Sequence, residues 1–306
     1  MTTNGLPLPL LSVVNGESPY TVPLLINGEE VITETTFDVT NPANDNIIWK
    51  CASASVKEAN SAVESAQAAF KSWSRTNPSQ RRDIFLKAAD NMESRMLELS
   101  GYLAEETGGT PDWSGFNIVT SIEMLRDIAG RIAGAVEGSV PWVADPNTSA
   151  IVSKEPYGVV LAIAPWNAPY ILGTRAIAYP LAAGNAVILK GSEFSPRVFW
   201  GIASCFVNAG LPAGVLNCLF HRPADAAEVT TALIAHKYVR KINFTGSTPV
   251  GSIIAQTAGK YIKPVLLELG GKAPAIVCPD ADLKKSAMQC VVGAFFHAGQ
   301  ICMSVS

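Results

Sequence analysis

The sequence predicts an α/β fold, a doubly wound sheet of mainly parallel strands, and three observations point to it. From residue 158 onward, short apolar runs at 159–164, 186–189, 215–220, 239–244 and 265–269 alternate with helical stretches at 168–183, 196–209, 224–236 and 248–260. Apart from 239–244, the runs are near-continuously apolar, as expected for strands covered on both faces. Hydrophobic residues make up 48% of the 306 and charged residues 16%, against about 25% charged in a typical soluble domain. The chain therefore buries a large core, a subunit interface, or both.

Taken in order, residues 1–20 are rich in Pro, Gly and Asn and read as a loose arm. Short strands are expected at 24–32 and 36–39, the first folded about Asn27-Gly28, a strong hairpin dipeptide. Asn41-Pro42-Ala43-Asn44 is a turn. Three helices follow. The stretch 56–73 places Ala59, Val63, Ala66 and Phe70 on one face. A longer one spans 78–106 and is stopped by Gly108-Gly109. The third covers 114–135. A more polar stretch with alternating Ile151-Val152-Ser153-Lys154 suggests a protruding hairpin at 137–155. Within the alternating part, Ser195-Pro196 supplies an N-cap and a first-turn proline. A further strand–helix unit begins at 275–278 and continues as a mostly apolar helix at 281–298. No internal repeat is present.

Composition excludes several classes of function. Net charge is −3 with a pI near 5.7, and no basic block occurs, so nucleic acid is not an expected partner. The first basic residue is Lys50, which argues against a signal or transit peptide. The uncharged run 156–174 is broken by prolines and Asn167, so no membrane partner is expected. The six cysteines form no CxxC and no His-paired spacing. That pattern suits free thiols in a reducing cytoplasm, and no metal is expected.

The chemistry must be sought without a GxGxxG fingerprint, because the chain has none. A parallel sheet still offers its ligand crevice at the carboxyl ends of its strands. Three such ends carry suitable groups: Ala164-Pro165-Trp166-Asn167, Lys190-Gly191-Ser192-Glu193, and Gly246-Ser247-Thr248-Pro249-Val250-Gly251. The last opens a helix, whose free N–H groups and positive dipole end suit a pyrophosphate. On their own, a Gly-Ser-Thr start is as readily a simple cap, and Lys190 and Glu193 ordinary surface charges. Two further stretches stand out. Glu268-Leu269-Gly270-Gly271-Lys272 places a carboxylate at a strand end against two glycines. Gly299-Gln300-Ile301-Cys302 places a thiol after the apolar run 287–296. Cys302 alone could be a buried small hydrophobe, Glu268 a surface carboxylate and Asn167 a turn residue.

Taken together, PWN, KxxE, FTGSTxxG, ELGGK and GQxC occur in the order and near the spacing of the aldehyde dehydrogenase superfamily, and from about residue 24 to 302 the chain resembles it. The resemblance implies a Rossmann-like NAD-binding domain at 1–136 and 156–268, an oligomerisation hairpin at 137–155, and the start of a catalytic domain at 269–306. It implies Cys302 as nucleophile, Glu268 as general base and Asn167 as an oxyanion donor. It implies a cofactor held by Ala164, Pro165, Trp166, Lys190, Ser192, Glu193, Gly246, Ser247, Thr248, Gly251 and Leu269. Lys190 and Glu193 would hold the adenosine ribose, and a carboxylate there favours NAD over NADP. The partners implied are a small aldehyde and further copies of the chain, as a homodimer or homotetramer.

The wording around Asn167-Ala168-Pro169 and the final Gly-Gln-Ile-Cys-Met-Ser is most similar to the aromatic (salicylaldehyde, vanillin, benzaldehyde) members. Asn167, Ile171 and Arg175 fall at i, i+4, i+8, so Tyr170, Ile171 and Arg175 are the candidate substrate residues, Arg175 for a phenolic or carboxylate substituent. Equally, Arg175 could lay its stem along an apolar surface. Two departures from the family pattern are expected to matter. Pro249 replaces the usual charged residue inside GSTxxG, and family members continue well beyond the cysteine. The chain is then expected to be either an aldehyde-oxidising enzyme or a truncated, non-catalytic NAD-binding remnant or gene-model fragment. As 306 residues it is expected to be poorly soluble and inactive.

Overall fold

The computed structural model describes residues 20–305, so the arm expected at 1–20 lies outside the described residues except for Tyr20. Two sheets are present. A small one pairs β1 (Thr21–Val22) in parallel with β5 (Ile47–Ala52), which pairs antiparallel with β4 (Thr36–Thr40). The large sheet has seven strands. Its core is β6 (Val159–Ile163), β7 (Ala186–Lys190), β8 (Leu216–Leu219), β9 (Val239–Thr245) and β10 (Val265–Glu268), all parallel, in the spatial order β10-β9-β6-β7-β8.

The chain leaves β6 at the centre, steps outward through β7 and β8, then returns to the other side of β6 with β9 and β10. That is the doubly wound order, and it places a topological switch point between β6 and β9. The hairpin β2 (Leu24–Ile26) and β3 (Glu29–Val31) adds an antiparallel edge beside β8, so the sheet is mixed. Asn27 and Gly28 sit at φ 55° and 79°, the paired left-handed conformation that a two-residue type I′ turn requires.

Helices α1 (Val56–Trp73), α2 (Pro78–Ser94), α3 (Met96–Thr107) and α4 (Pro111–Ala135) precede the alternating half. Crossovers α5 (Pro169–Ala182) and α6 (Pro196–Asn208) pack on one face of the sheet, and α7 (Ala226–Ala235) joins α1 on the other, with α8 (Thr248–Lys260) beside α7. Strands β6, β7 and β8 are buried at nearly every position, as their continuous apolar runs predict.

Several expectations are corrected. The single helix expected at 78–106 breaks at Arg95, whose backbone (φ −106°, ψ 15°) leaves the helical region. There the guanidinium binds both Glu98 oxygens at 2.8–2.9 Å and reaches Ser204 Oγ at 2.7 Å, tying the corner to α6. Ser195 does not cap α6 with its side chain. The buried Glu106 does so instead, accepting from the Arg197 and Val198 backbone N–H groups at 2.7 and 3.0 Å and from Trp49 Nε1 at 2.8 Å. Burial pushes its carboxyl up to about 8 despite these donors. Strands β1 and β5 were not expected. The strand expected at 275–278 is absent, and the helix after it runs only as α9 (Leu283–Phe295), followed by a tight turn at Phe296–Gly299. The projection at 137–155 forms no regular strands. One antiparallel pair, Ser139 with Val152, closes it, and Val140 and Trp142 stand exposed.

Among the described residues no helix is long and apolar enough to cross a membrane, and no group of three His, Cys, Asp or Glu is arranged to hold a metal.

Candidate active site

Because β6, β7, β9 and β10 are parallel, their carboxyl ends open on one edge of the sheet, and four of the five expected motifs lie at those ends, the Gly299–Cys302 stretch arriving from the turn after α9. A cavity of about 270 Å³ lies there, across the switch point. Its walls bring together Cys302, Glu268 and Asn167, three residues far apart in the chain. Pro165, Trp166, Gly246, Ser247 and Leu269 line it too. So do Thr245, Gln300 and Ile301, which belong to the FTGSTxxG and GQxC stretches, and Leu172, which no motif marks.

Each wall is set by local structure. Glu268 ends β10, where its carbonyl accepts from the Gly246 N–H at 3.0 Å, locking two of the motifs side by side. Its carboxylate lies 3.8 Å from Arg175 Nη2, which also donates to Thr245 Oγ1 at 3.4 Å. Both side chains are substantially exposed, so the pair orients more than it stabilises. A second cavity of about 370 Å³ adjoins on the far side of Arg175 and Glu268. Asn167 precedes α5. Its Nδ2 donates to the Gln300 carbonyl at 2.8 Å, so one of its two N–H bonds is already engaged and one remains for a ligand. Cys302 is an exposed free thiol.

The turn that delivers Cys302 is unusual. His297, Ala298 and Gly299 have φ of 49°, 52° and 73°, three left-handed residues in succession. For the two non-glycines that costs on the order of 1–3 kcal/mol each. The His297 ring stacks on Trp113 at 4.7 Å and 15°.

The other side carries the stretches expected to bind a nucleotide. Ser247 is the N-cap of α8 but makes no side-chain cap bond, and Pro249 in the first turn has no N–H to offer, so the Thr248 and Val250 amides are the donors at that end. A Cβ on Gly246 would come within 2.6 Å of the Phe244 ring, and one on Gly251 within 2.5 Å of Leu269. A side chain at either position would displace the Phe244 ring or the Leu269 side chain. At the end of β7, Lys190 and Glu193 are half-buried and Ser192 is buried. Burial lowers the Lys190 ammonium pKa and Glu193 opposes the shift. His221, after β8, was not foreseen. Burial and the nearby Lys190 charge lower its imidazole to about 4.

Of the expected site residues, Lys190, Ser192, Glu193, Thr248 and Gly251 line neither cavity, and three more lie in or against the core. Ala164 is buried behind Pro165 and lines no cavity wall. Ile171 packs against the core, and its helical neighbour Leu172 takes the cavity position. Tyr170 is wholly buried and donates to the Leu99 carbonyl at 2.8 Å, so it is a core residue and no substrate contact.

The switch-point crevice thus has the start of α8 on one side and a thiol and a carboxylate on the other. The chain belongs to the aldehyde dehydrogenase family, whose sequence pattern matches residues 30–306. It is 45% identical over 285 residues to a vanillin dehydrogenase of Pseudomonas fluorescens, covering 92% of this chain and 59% of that one. The crystal structure of a salicylaldehyde dehydrogenase from Pseudomonas putida G7 complexed with salicylaldehyde superposes with a TM-score of 0.90 at 42% identity, covering 93% of this chain and 59% of that one. A betaine aldehyde dehydrogenase from Staphylococcus aureus in complex with NAD+ superposes at 0.88 with 30% identity, covering 92% and 56%. The chain thus spans about 59% of the length of its relatives.

Proposed function

We propose that this chain carries the NAD site and the reacting residues for oxidation of an aromatic aldehyde to its carboxylic acid. The observation that carries the reading is the meeting of Cys302, Glu268 and Asn167 on one cavity beside the start of α8. The relatives named for vanillin and salicylaldehyde support an aromatic substrate.

The residues at hand fit a dinucleotide: an N-terminal helix end without a side-chain cap, glycines that permit close approach, and the Lys190–Glu193 pair. Thr248 and its neighbours would hold the pyrophosphate, and Lys190 and Glu193 the adenosine ribose. The Glu193 carboxylate disfavours a 2′-phosphate and so favours NAD over NADP. When bound, the cofactor supplies a hydride acceptor.

The chain's own residues do the rest. Cys302 Sγ, as thiolate, attacks the aldehyde carbon. The free Asn167 Nδ2–H and the Cys302 backbone N–H stabilise the oxygen as it gains charge. Once the carbon is oxidised to the thioester level, Glu268 takes a proton from water, and the hydroxide equivalent releases the acid and restores the thiol.

Replacing the nucleophile tests this. In a version of the chain extended to the full length of its relatives, Cys302→Ala is expected to abolish aldehyde-dependent NADH formation while NAD binding, followed by fluorescence titration of NADH, stays within about twofold, because catalysis by a covalent nucleophile is lost and cofactor contacts are not. Turnover at the wild-type rate in that variant would remove Cys302 from the reaction.

A further inference from the structure

We infer that Trp113 is a positioning residue that holds the two sides of the cavity, Asn167 and the Cys302 turn, in register through a closed ring of contacts. This role presupposes that Asn167 and Cys302 act as described above. Trp113 is 2% exposed and sits in the first turn of α4, just after the Thr110 cap. Its Nε1–H donates to the Asn167 carbonyl at 3.2 Å. Its ring face stacks on His297, and Phe296 meets it edge-on at 5.2 Å and 89°. The ring then closes on itself. Asn167 Nδ2 donates to the Gln300 carbonyl at 2.8 Å, and the Gln300 N–H donates to the His297 carbonyl at 2.9 Å. One indole therefore grips the turn twice, by its face through His297 and by its edge through Asn167 and Gln300, two residues before Cys302.

The turn needs such a grip. Left-handed non-glycine residues persist only where their surroundings over-determine them, and His297 and Ala298 are two in succession. Helix α9, which leads into the turn, buries none of its residues against the other described elements. The Trp113 indole is the buried feature that contacts both the turn and Asn167. An aromatic residue serving only as core filling would need neither the N–H bond to Asn167 nor the stack on a strained histidine.

The test uses Trp113→Phe, which keeps a ring but removes the N–H, His297→Ala, which removes the stack from the other side, and the double variant. Each single change is expected to lower kcat about five- to tenfold, the worth of one hydrogen bond or ring contact, with aldehyde KM and NADH affinity within about twofold. Because both changes open the same ring, the double variant should lose well under the product of the two. Amide hydrogen exchange at 297–302 should rise about tenfold in each single variant while α2 and α6 keep wild-type protection. Wild-type kcat and unchanged exchange at 297–302 in both singles would overturn the inference. So would strictly multiplicative losses, or a uniform rise in exchange across α4 and the core. Should Trp113→Phe fail to fold, His297→Ala alone decides by its kcat and local exchange. The exchange readout does not depend on turnover, so loosening at 297–302 together with an active Cys302→Ala would leave the brace standing and remove only the catalytic assignment.

Discussion

Helices α6 and α9 are both 13 residues long, yet α6 buries eleven of its residues and α9 buries none. Composition does not explain the contrast. α9 carries Met288, Val291, Val292 and Phe295, each more than half exposed. Partners do. α6 lies among α2, α3, α5 and β8, whereas α9 packs mainly on the turn that follows it. Their starts differ in the same way. α9 is capped locally, Asp282 Oδ1 accepting from the Lys285 N–H at 3.0 Å. α6 is capped by Glu106, 91 positions away in sequence from the Arg197 N–H that it binds. An apolar helical pattern thus shows that a helix can be buried, and only tertiary contacts determine whether it is.

The largest expected effect tests that contrast directly. Phe206 on α6 is fully buried and meets Phe85 edge-on at 5.5 Å. Phe206→Ala should cost about 3–5 kcal/mol in chemical denaturation, the usual range for a large core truncation. Phe295 on α9 is 73% exposed, and Phe295→Ala should stay within about 0.5 kcal/mol. A comparable loss at both sites would mean that α9 is packed in solution and the contrast is false.

A smaller effect separates the two caps. Glu106 has its folded-state pKa raised to about 8, above the ordinary value of about 4.3. The folded protein therefore holds this proton more tightly than the unfolded chain does. Stability from this group is fully present below the unfolded value and is lost as pH rises through 8. Glu106→Gln, neutral throughout, should flatten the fall of melting temperature between pH 5 and 8, while Asp282→Asn on α9 should leave its slope unchanged. Parallel wild-type and Glu106→Gln curves would show that Glu106 does not titrate in that window.

The same division explains what could be read from the sequence. Helices α1 and α8, the Asn27-Gly28 hairpin and the five parallel strands follow from local periodicity and turn chemistry, and each lies where the sequence predicts, to within a residue or two at most strand ends. The residues at the carboxyl strand ends were visible because parallel topology concentrates ligand groups there. What was hidden depends on long-range contacts. The corner at Arg95 is tied to Ser204, the α6 cap comes from Glu106, and β1 and β5 exist only as partners. In the site, Tyr170 and Leu172 are neighbours in one helical pattern, and only packing sends the first to the core and the second to the cavity. Trp113, shortly after Gly108-Gly109, and His297, five residues before Cys302, had no motif to mark them.

In the reading proposed above, one cavity joins a thiol that forms the thioester to a carboxylate that hydrolyses it. Stopped-flow measurement of NADH formation in Glu268→Gln with benzaldehyde tests it most directly. A burst of about one NADH per site followed by a stall is expected, because only hydrolysis needs the activated water. A slow steady rate with no burst would contradict it and assign Glu268 to activating the Cys302 thiol instead.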